Sequence, residues 1–109
     1  MVTGNSPCHD RSVLHHIVLF SFKAAVAPTE REALLVAIRS LKAAVPNLRS
    51  LEVGEILRPA HAAGYTPVAI GTFDDQAGLA AYLAHPVHLR VGARLGAAAE
   101  QLLAVDLEG

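Results

Sequence analysis

Residues 13–23 read VLHHIVLFSFK, and their alternation decides the fold. The run is rich in β-branched and aromatic residues, which predicts a strand. One face takes Leu14, His16, Val18, Phe20 and Phe22; the other takes Val13, His15, Ile17, Leu19 and Ser21. Both faces are largely apolar, so this strand is expected to be covered on both sides.

The segments that follow supply the partners for that strand. Thr29-Glu30-Arg31-Glu32 has the spacing of a capping box and predicts a helix start at Thr29. Leu34, Leu35, Ile38, Leu41 and Val45 then form one stripe opposite Arg31, Arg39 and Lys42, and Pro46-Asn47 closes the helix. A second strand is expected over residues 48–57, with Leu51 and Val53 as its clearest apolar positions. A third is expected over residues 65–73, irregular where Pro67 falls. Asp74 or Asp75 caps a short helix reaching Ala84; Pro86 opens another reaching about Gln101; residues 102–108 (LLAVDLE) form the last strand.

The order β-α-β-β-α-α-β predicts an α+β domain of ferredoxin-like plan, a four-stranded antiparallel sheet with its helices on one face. That plan leaves the other sheet face bare. Ile17, Leu19, Leu103, Val105 and Leu107 fall on it, too apolar to be left in water. Burying each side chain is worth roughly 1.5–3 kcal/mol. A homodimer pairing its sheet faces is the simplest remedy, and two-fold pairs are the commonest oligomers.

Composition narrows the classes. A chain of 109 residues that is 52% hydrophobic and 17% charged is one folded domain, placed at residues 13–109, not a disordered segment. The net charge is −1 with acids and bases interspersed, so no basic run suits nucleic acid. Apolar runs such as residues 33–38 are far shorter than the ~18 residues of a membrane span, so no membrane partner is expected. Residues 1–12 lack the apolar core of a signal peptide and read as a mobile polar tail. The single cysteine, Cys8, lies there; with no intrachain disulfide, a cytoplasmic location is expected.

The chemistry concentrates around residues 82–88, YLAHPVH. His88 shares a helical stripe with Val91, Gly92, Leu95 and Ala99, opposite Arg90, Arg94 and Gln101, so it faces the sheet. Tyr82 lies inward with Leu79 and Leu83, and His16 shares the helix-facing side of the first strand with Val18 and Phe20. Two histidines and a tyrosine therefore converge between the layers. Asp106 alternates with Leu102 and Ala104, which places a carboxylate where it can orient a histidine and raise its basicity. Gly92 and Gly96 interrupt the last helix, each costing roughly 1 kcal/mol relative to alanine; at Gly92 the missing side chain leaves room beside His88. Spacing alone leaves two readings open: a polar core satisfied by its own hydrogen bonds, or a ligand pocket.

Neither a metal nor a cofactor is expected. His85, His88 and His16 are the only imidazoles near one another, but His85 falls at a helix cap and no cysteine or carboxylate pair completes a ligand set. His61 and His9 read as solvated. No phosphate loop, dinucleotide fingerprint or nucleophile elbow is present.

The chain resembles the stress-responsive A/B barrel domain family of dimeric α/β-barrel proteins over residues 14–108. The resemblance rests on His16-Ile17-Val18-Leu19-Phe20 with Phe22-Lys23, Leu51-Glu52-Val53-Gly54, Gly64-Tyr65-Thr66, Phe73, Tyr82, His85-Pro86-Val87-His88 and Leu103-Ala104-Val105-Asp106. It implies a ferredoxin-like protomer whose sheet pairs with that of a second copy. The family includes a plant polyketide cyclase that works by intramolecular aldol condensation. By that likeness His88 is a general base taking a proton alpha to a carbonyl, Tyr82 holds the developing enolate oxygen, and His16 and Asp106 support them. The plant cyclase carries bulky aromatic residues on its first and last helices where this chain has Leu34, Leu35, Ile38, Ala98 and Ala99. A pocket of different shape follows, and the substrate does not carry over. The expected function is a cofactor-independent enzyme acting on a small carbonyl compound; the alternatives are a non-catalytic small-molecule-binding homodimer and a purely structural, stress-associated homodimer with a satisfied polar core.

Overall fold

The computed structural model describes residues 13–109; the expected tail, with Cys8 and His9, lies outside the described residues. Strand β1 (Leu14–Phe22) leads into helix α1 (Pro28–Arg39) and the short α2 (Leu41–Ala44). Strands β2 (Ser50–Glu55) and β3 (Pro67–Phe73) follow, joined through a 3-10 turn at Pro59–Ala62. Helices α3 (Gln76–Ala84) and α4 (Pro86–Ala98) then precede β4 (Ala99–Glu108). The four strands are antiparallel in the order β2-β3-β1-β4, which puts β1 in the middle as its two apolar faces demand. This is the ferredoxin-like α+β arrangement.

Several element ends differ from the sequence reading. Helix α1 starts at Pro28 with Ala27 as its cap and no side-chain capping bond, so the capping box at Thr29 does not form. Proline needs no partner for an N–H and its fixed φ suits the first turn, so the cap falls at Ala27, two residues before Thr29. The first helix also breaks at Ser40, whose Oγ donates to the Ala37 carbonyl at 2.6 Å, a local bond that competes with helix continuation. Leu41 and Val45 nevertheless stay buried on the same stripe.

Helix α4 stops at Ala98 instead of Gln101, because Ala99 is extended (φ −86°, ψ 134°) and pairs with Phe22 across an irregularity in β1. Pairing along the central strand overrides the helical preference of the alanine run. Ala99 therefore leaves the His88 stripe. Strands β2 and β3 are shorter than expected at both ends of the former and at the start of the latter. Pro67 begins β3, where it is fully buried.

Register fixes what each sheet face carries. Leu14, His16, Val18 and Phe20 of β1 lie under the helices beside Ala69, Gly71 and Phe73 of β3. With Leu34, Ile38, Leu41, Val45, Leu48, Leu79, Val91 and Leu95 they enclose the core, and Phe20 and Phe73 have no exposed surface. On the opposite face Ile17 lies between Ile70 and Val105, Leu19 between Val68 and Leu103, and His15 between Thr72 and Leu107. Among the described residues no helix covers that side, and Leu103, Val105 and Leu107 are 46%, 43% and 55% exposed.

Candidate functional site

The site is built where α3 turns into α4 over the centre of β1. Asp75 starts α3 by accepting the Gly78 N–H at 2.8 Å, which sets the helix rotation that turns Leu79 and Tyr82 inward. His85 alone separates the two helices. Its Nδ1 accepts the Val87 N–H at 3.1 Å, so His85 caps α4 while Pro86 fills the first position. The corner brings His88 back over Tyr82, with ring centroids 4.4 Å apart. Tyr82 also packs on Phe73 at 5.0 Å and lies 6.0 Å edge-on from His16.

The hydrogen bonds assign the tautomers. A carbonyl oxygen only accepts, so the 3.2 Å contact between His88 Nδ1 and the Leu83 carbonyl requires a proton on Nδ1. In the neutral ring the other nitrogen, Nε2, is then a bare acceptor. His85 has the opposite arrangement, since its Nδ1 accepts. His16 donates from Nδ1 to Asp106 Oδ1 at 2.6 Å, across the β1–β4 register that pairs these two residues. This short, charge-assisted bond fixes the His16 ring and leaves its second nitrogen on the interior side.

Burial then sets the protonation states. Desolvation lowers the pKa of His88 below the ordinary histidine value of 6.5, outweighing the Leu83 carbonyl that raises it; nearby His16 and His85 lower it further. His88 is thus a neutral imidazole at neutral pH. Tyr82 is pushed up to about 12 by burial, so its phenol keeps the proton. Tyr82 as a residue is only 5% exposed, yet its hydroxyl makes no hydrogen bond to any described residue.

The explanation lies in the space beside it. A cavity of about 50 Å³ opens between sheet and helices, room for a few water molecules or a compact organic fragment. His16, Tyr82 and His88 supply its polar wall, and the rest is apolar. Of the residues expected to line a pocket, Val18, Ile38, Val91, Gly92 and Leu95 do so. Phe20 and Leu34 are instead packed in the core, and Leu35 is a half-buried neighbour of it. Ala99 has passed into β4, and Ala104 lies exposed on that edge strand; neither reaches the cavity. Asp106 touches the site only through His16.

Four lining residues escaped the sequence reading: Leu41, Leu51, Ala69 and Gly71. The signal for Ala69 and Gly71 is the alternation of β3, where two small residues stand between Pro67 and Phe73 on the helix-facing side and leave a hollow. Gly71 pairs with His16, and a Cβ there would come within 3.0 Å of Leu48. Among the described residues no group of three or more His, Cys, Asp or Glu side chains converges as a metal would require, and no helix is long and apolar enough to cross a membrane.

Sheet and helices define a ferredoxin-like α+β protein with a largely apolar pocket edged by His16, Tyr82 and His88. Residues 14–108 match the stress responsive A/B barrel domain, and the chain belongs to that family. It is 27% identical over 93 residues to the stress-response A/B barrel domain-containing protein HS1 of Arabidopsis thaliana, covering 84% of each chain. A dimeric ferredoxin-like protein of unknown function from Thermobifida fusca superposes with a TM-score of 0.76 at 29% identity, over 88% of this chain and 90% of the other. The hydroxynitrile lyase of Passiflora edulis shares the fold alone, with a TM-score of 0.84 at 20% identity over 91% and 94% of the two chains.

Proposed function

We propose that this protein is a homodimer whose internal pocket binds a compact, uncharged carbonyl compound and removes a proton from the carbon alpha to the carbonyl. The observation that carries the reading is that Tyr82, buried and with no described partner for its hydroxyl, lines the same cavity as His88, whose ring packs on it at 4.4 Å. A buried hydroxyl with no hydrogen bond costs roughly 1–3 kcal/mol, and a ligand oxygen in the cavity removes that penalty. A polar cluster serving only the core would satisfy its own members.

In this mechanism the ligand carbonyl accepts a hydrogen bond from the Tyr82 phenol. His88 Nε2 takes the alpha proton, the C–H electron pair moves into the carbon–carbon bond, and negative charge collects on the oxygen facing Tyr82. The imidazolium so formed still donates through Nδ1 to the Leu83 carbonyl, which holds the ring in place. His16, fixed by Asp106, supplies a second polar contact at the same wall. Among the described residues no lysine or arginine lines the cavity, which favours neutral ligands over carboxylates and phosphates. The enolate can be reprotonated by the same histidine or attack a second carbonyl of the ligand, the aldol step of a cyclase. Pairing of the bare sheet faces would place each pocket on the outer, helix-covered side of its own protomer.

The test is deuterium exchange at the central carbon of acetylacetone that carries a methyl group there, followed by NMR in heavy water. The expected result is exchange faster than in buffer, lost in His88→Ala with the fold and dimer intact. Saturable binding without faster exchange would instead establish the non-catalytic binding protein. Neither binding nor exchange, across this diketone and simple ketones, would refute the pocket reading.

A further inference from the structure

Among the residues that line the cavity, Gly92 alone is exposed; the others are buried or half-buried. It stands one turn beyond His88 on α4, between buried Val91 and Leu95. A Cβ added there would meet no atom within 4 Å. The other glycine of the lining is enclosed: a Cβ on Gly71 would strike Leu48 at 3.0 Å. Ile38 and Leu41 wall the cavity on the α1–α2 side, both buried.

We propose that Gly92 is the doorway of the pocket: the side chain it lacks is the port through which the ligand reaches His88, and its width sets the largest ligand admitted. The proposal rests on the pocket reading above and deepens it by naming the residue that selects for size. A glycine inside an exposed helical stretch weakens the helix, so its presence calls for a local reason. Gly96 provides the comparison. It lies one turn further along α4, is equally exposed and equally free of neighbours within 4 Å, but does not line the cavity. Two glycines on one helix thus have the same freedom to accept a side chain, and only one of them faces the cavity.

The experiment compares the unaltered protein with Gly92→Ala, Gly92→Leu and Gly96→Leu, using acetone and cyclohexanone as probes and the His88 ring resonances in NMR as readout. Gly92→Leu is expected to slow cyclohexanone association, read from the exchange line shapes of the His88 resonances, by about tenfold or more, because the side chain narrows the port. Gly92→Ala should slow cyclohexanone more than acetone. Gly96→Leu should leave both within about twofold. Melting curves serve as the folding check, and both leucine variants and Gly92→Ala should melt no lower than the unaltered protein, since each gains helix propensity. A cyclohexanone association rate unchanged in Gly92→Leu, or slowed equally in Gly96→Leu, overturns the doorway while leaving the pocket intact. Failure of both ketones to move His88 in the unaltered protein overturns the pocket and the doorway together.

Discussion

The two faces of the sheet invert the usual relation between burial and polarity. The covered face places His16 under the helices, opposite Tyr82 and His88, where an ordinary core would have aliphatic side chains. The open face turns Ile17, Leu19, Val68, Ile70, Leu103, Val105 and Leu107 outward, where an ordinary surface would be polar. Each departure costs stability in the isolated protomer: buried polar groups without partners on one side, apolar surface in water on the other. On the proposed function, the contrast divides two tasks between the faces of the sheet, ligand chemistry beneath the helices and association on the bare side.

Substitutions that separate the two tasks test this division. The largest effect is expected at the open face. Val105→Asp enters a symmetric interface twice, and the loss of roughly 1.5–3 kcal/mol per side chain weakens the dimer by about two orders of magnitude or more. Light scattering would detect the monomer, and a variant that stays dimeric would remove the sheet-face interface from the account. On the covered face, His88→Ala should slow alpha-proton exchange by about 10²–10⁴-fold without changing the mass of the dimer. An exchange rate that survives, or a dimer that falls apart, would show that the two faces are not independent.

A smaller effect is expected at Tyr82. Tyr82→Phe removes the unpartnered hydroxyl and retains the packing on Phe73, so denaturant melts should show stability unchanged or raised by about 1 kcal/mol, while exchange slows. A loss of more than that would reveal a structural hydrogen bond.

The smallest effect is the pH dependence. His88 has a folded pKa below its unfolded value of 6.5, so the unfolded chain binds the proton more readily. Its contribution to stability is complete above 6.5 and is lost as pH falls toward the lower folded value. His88→Gln should flatten that part of the stability profile. The exchange rate should follow the same titration, level across neutral pH and declining on the acid side as the base is protonated.

Much of this was legible in the chain because alternation of period two is unambiguous in β1 and β4. It assigned His16 and Asp106 to the covered face and Leu19 and Val105 to the open one before any contact was known. Helical stripes did the same for Tyr82 and His88. The element ends were harder to read, since Pro28 and Ser40 act through backbone donors and local bonds that compete with the stripe pattern. Ala99 was misplaced because an alanine run favours a helix until strand pairing with Phe22 claims it. The cavity's shape was only half visible: Gly92 announced open space, but Ala69 and Gly71 act by what they omit, and a missing side chain has no periodicity to detect.

The protonation of His88 is the most direct test of the central claim. Nitrogen-resolved NMR of the imidazole at neutral pH should find a neutral ring with its proton on Nδ1 and a bare Nε2, and the Nε2 resonance should move when a ketone is added. A ring that is cationic at neutral pH, or that carries its proton on Nε2, has no free base to offer a ligand and would contradict the account.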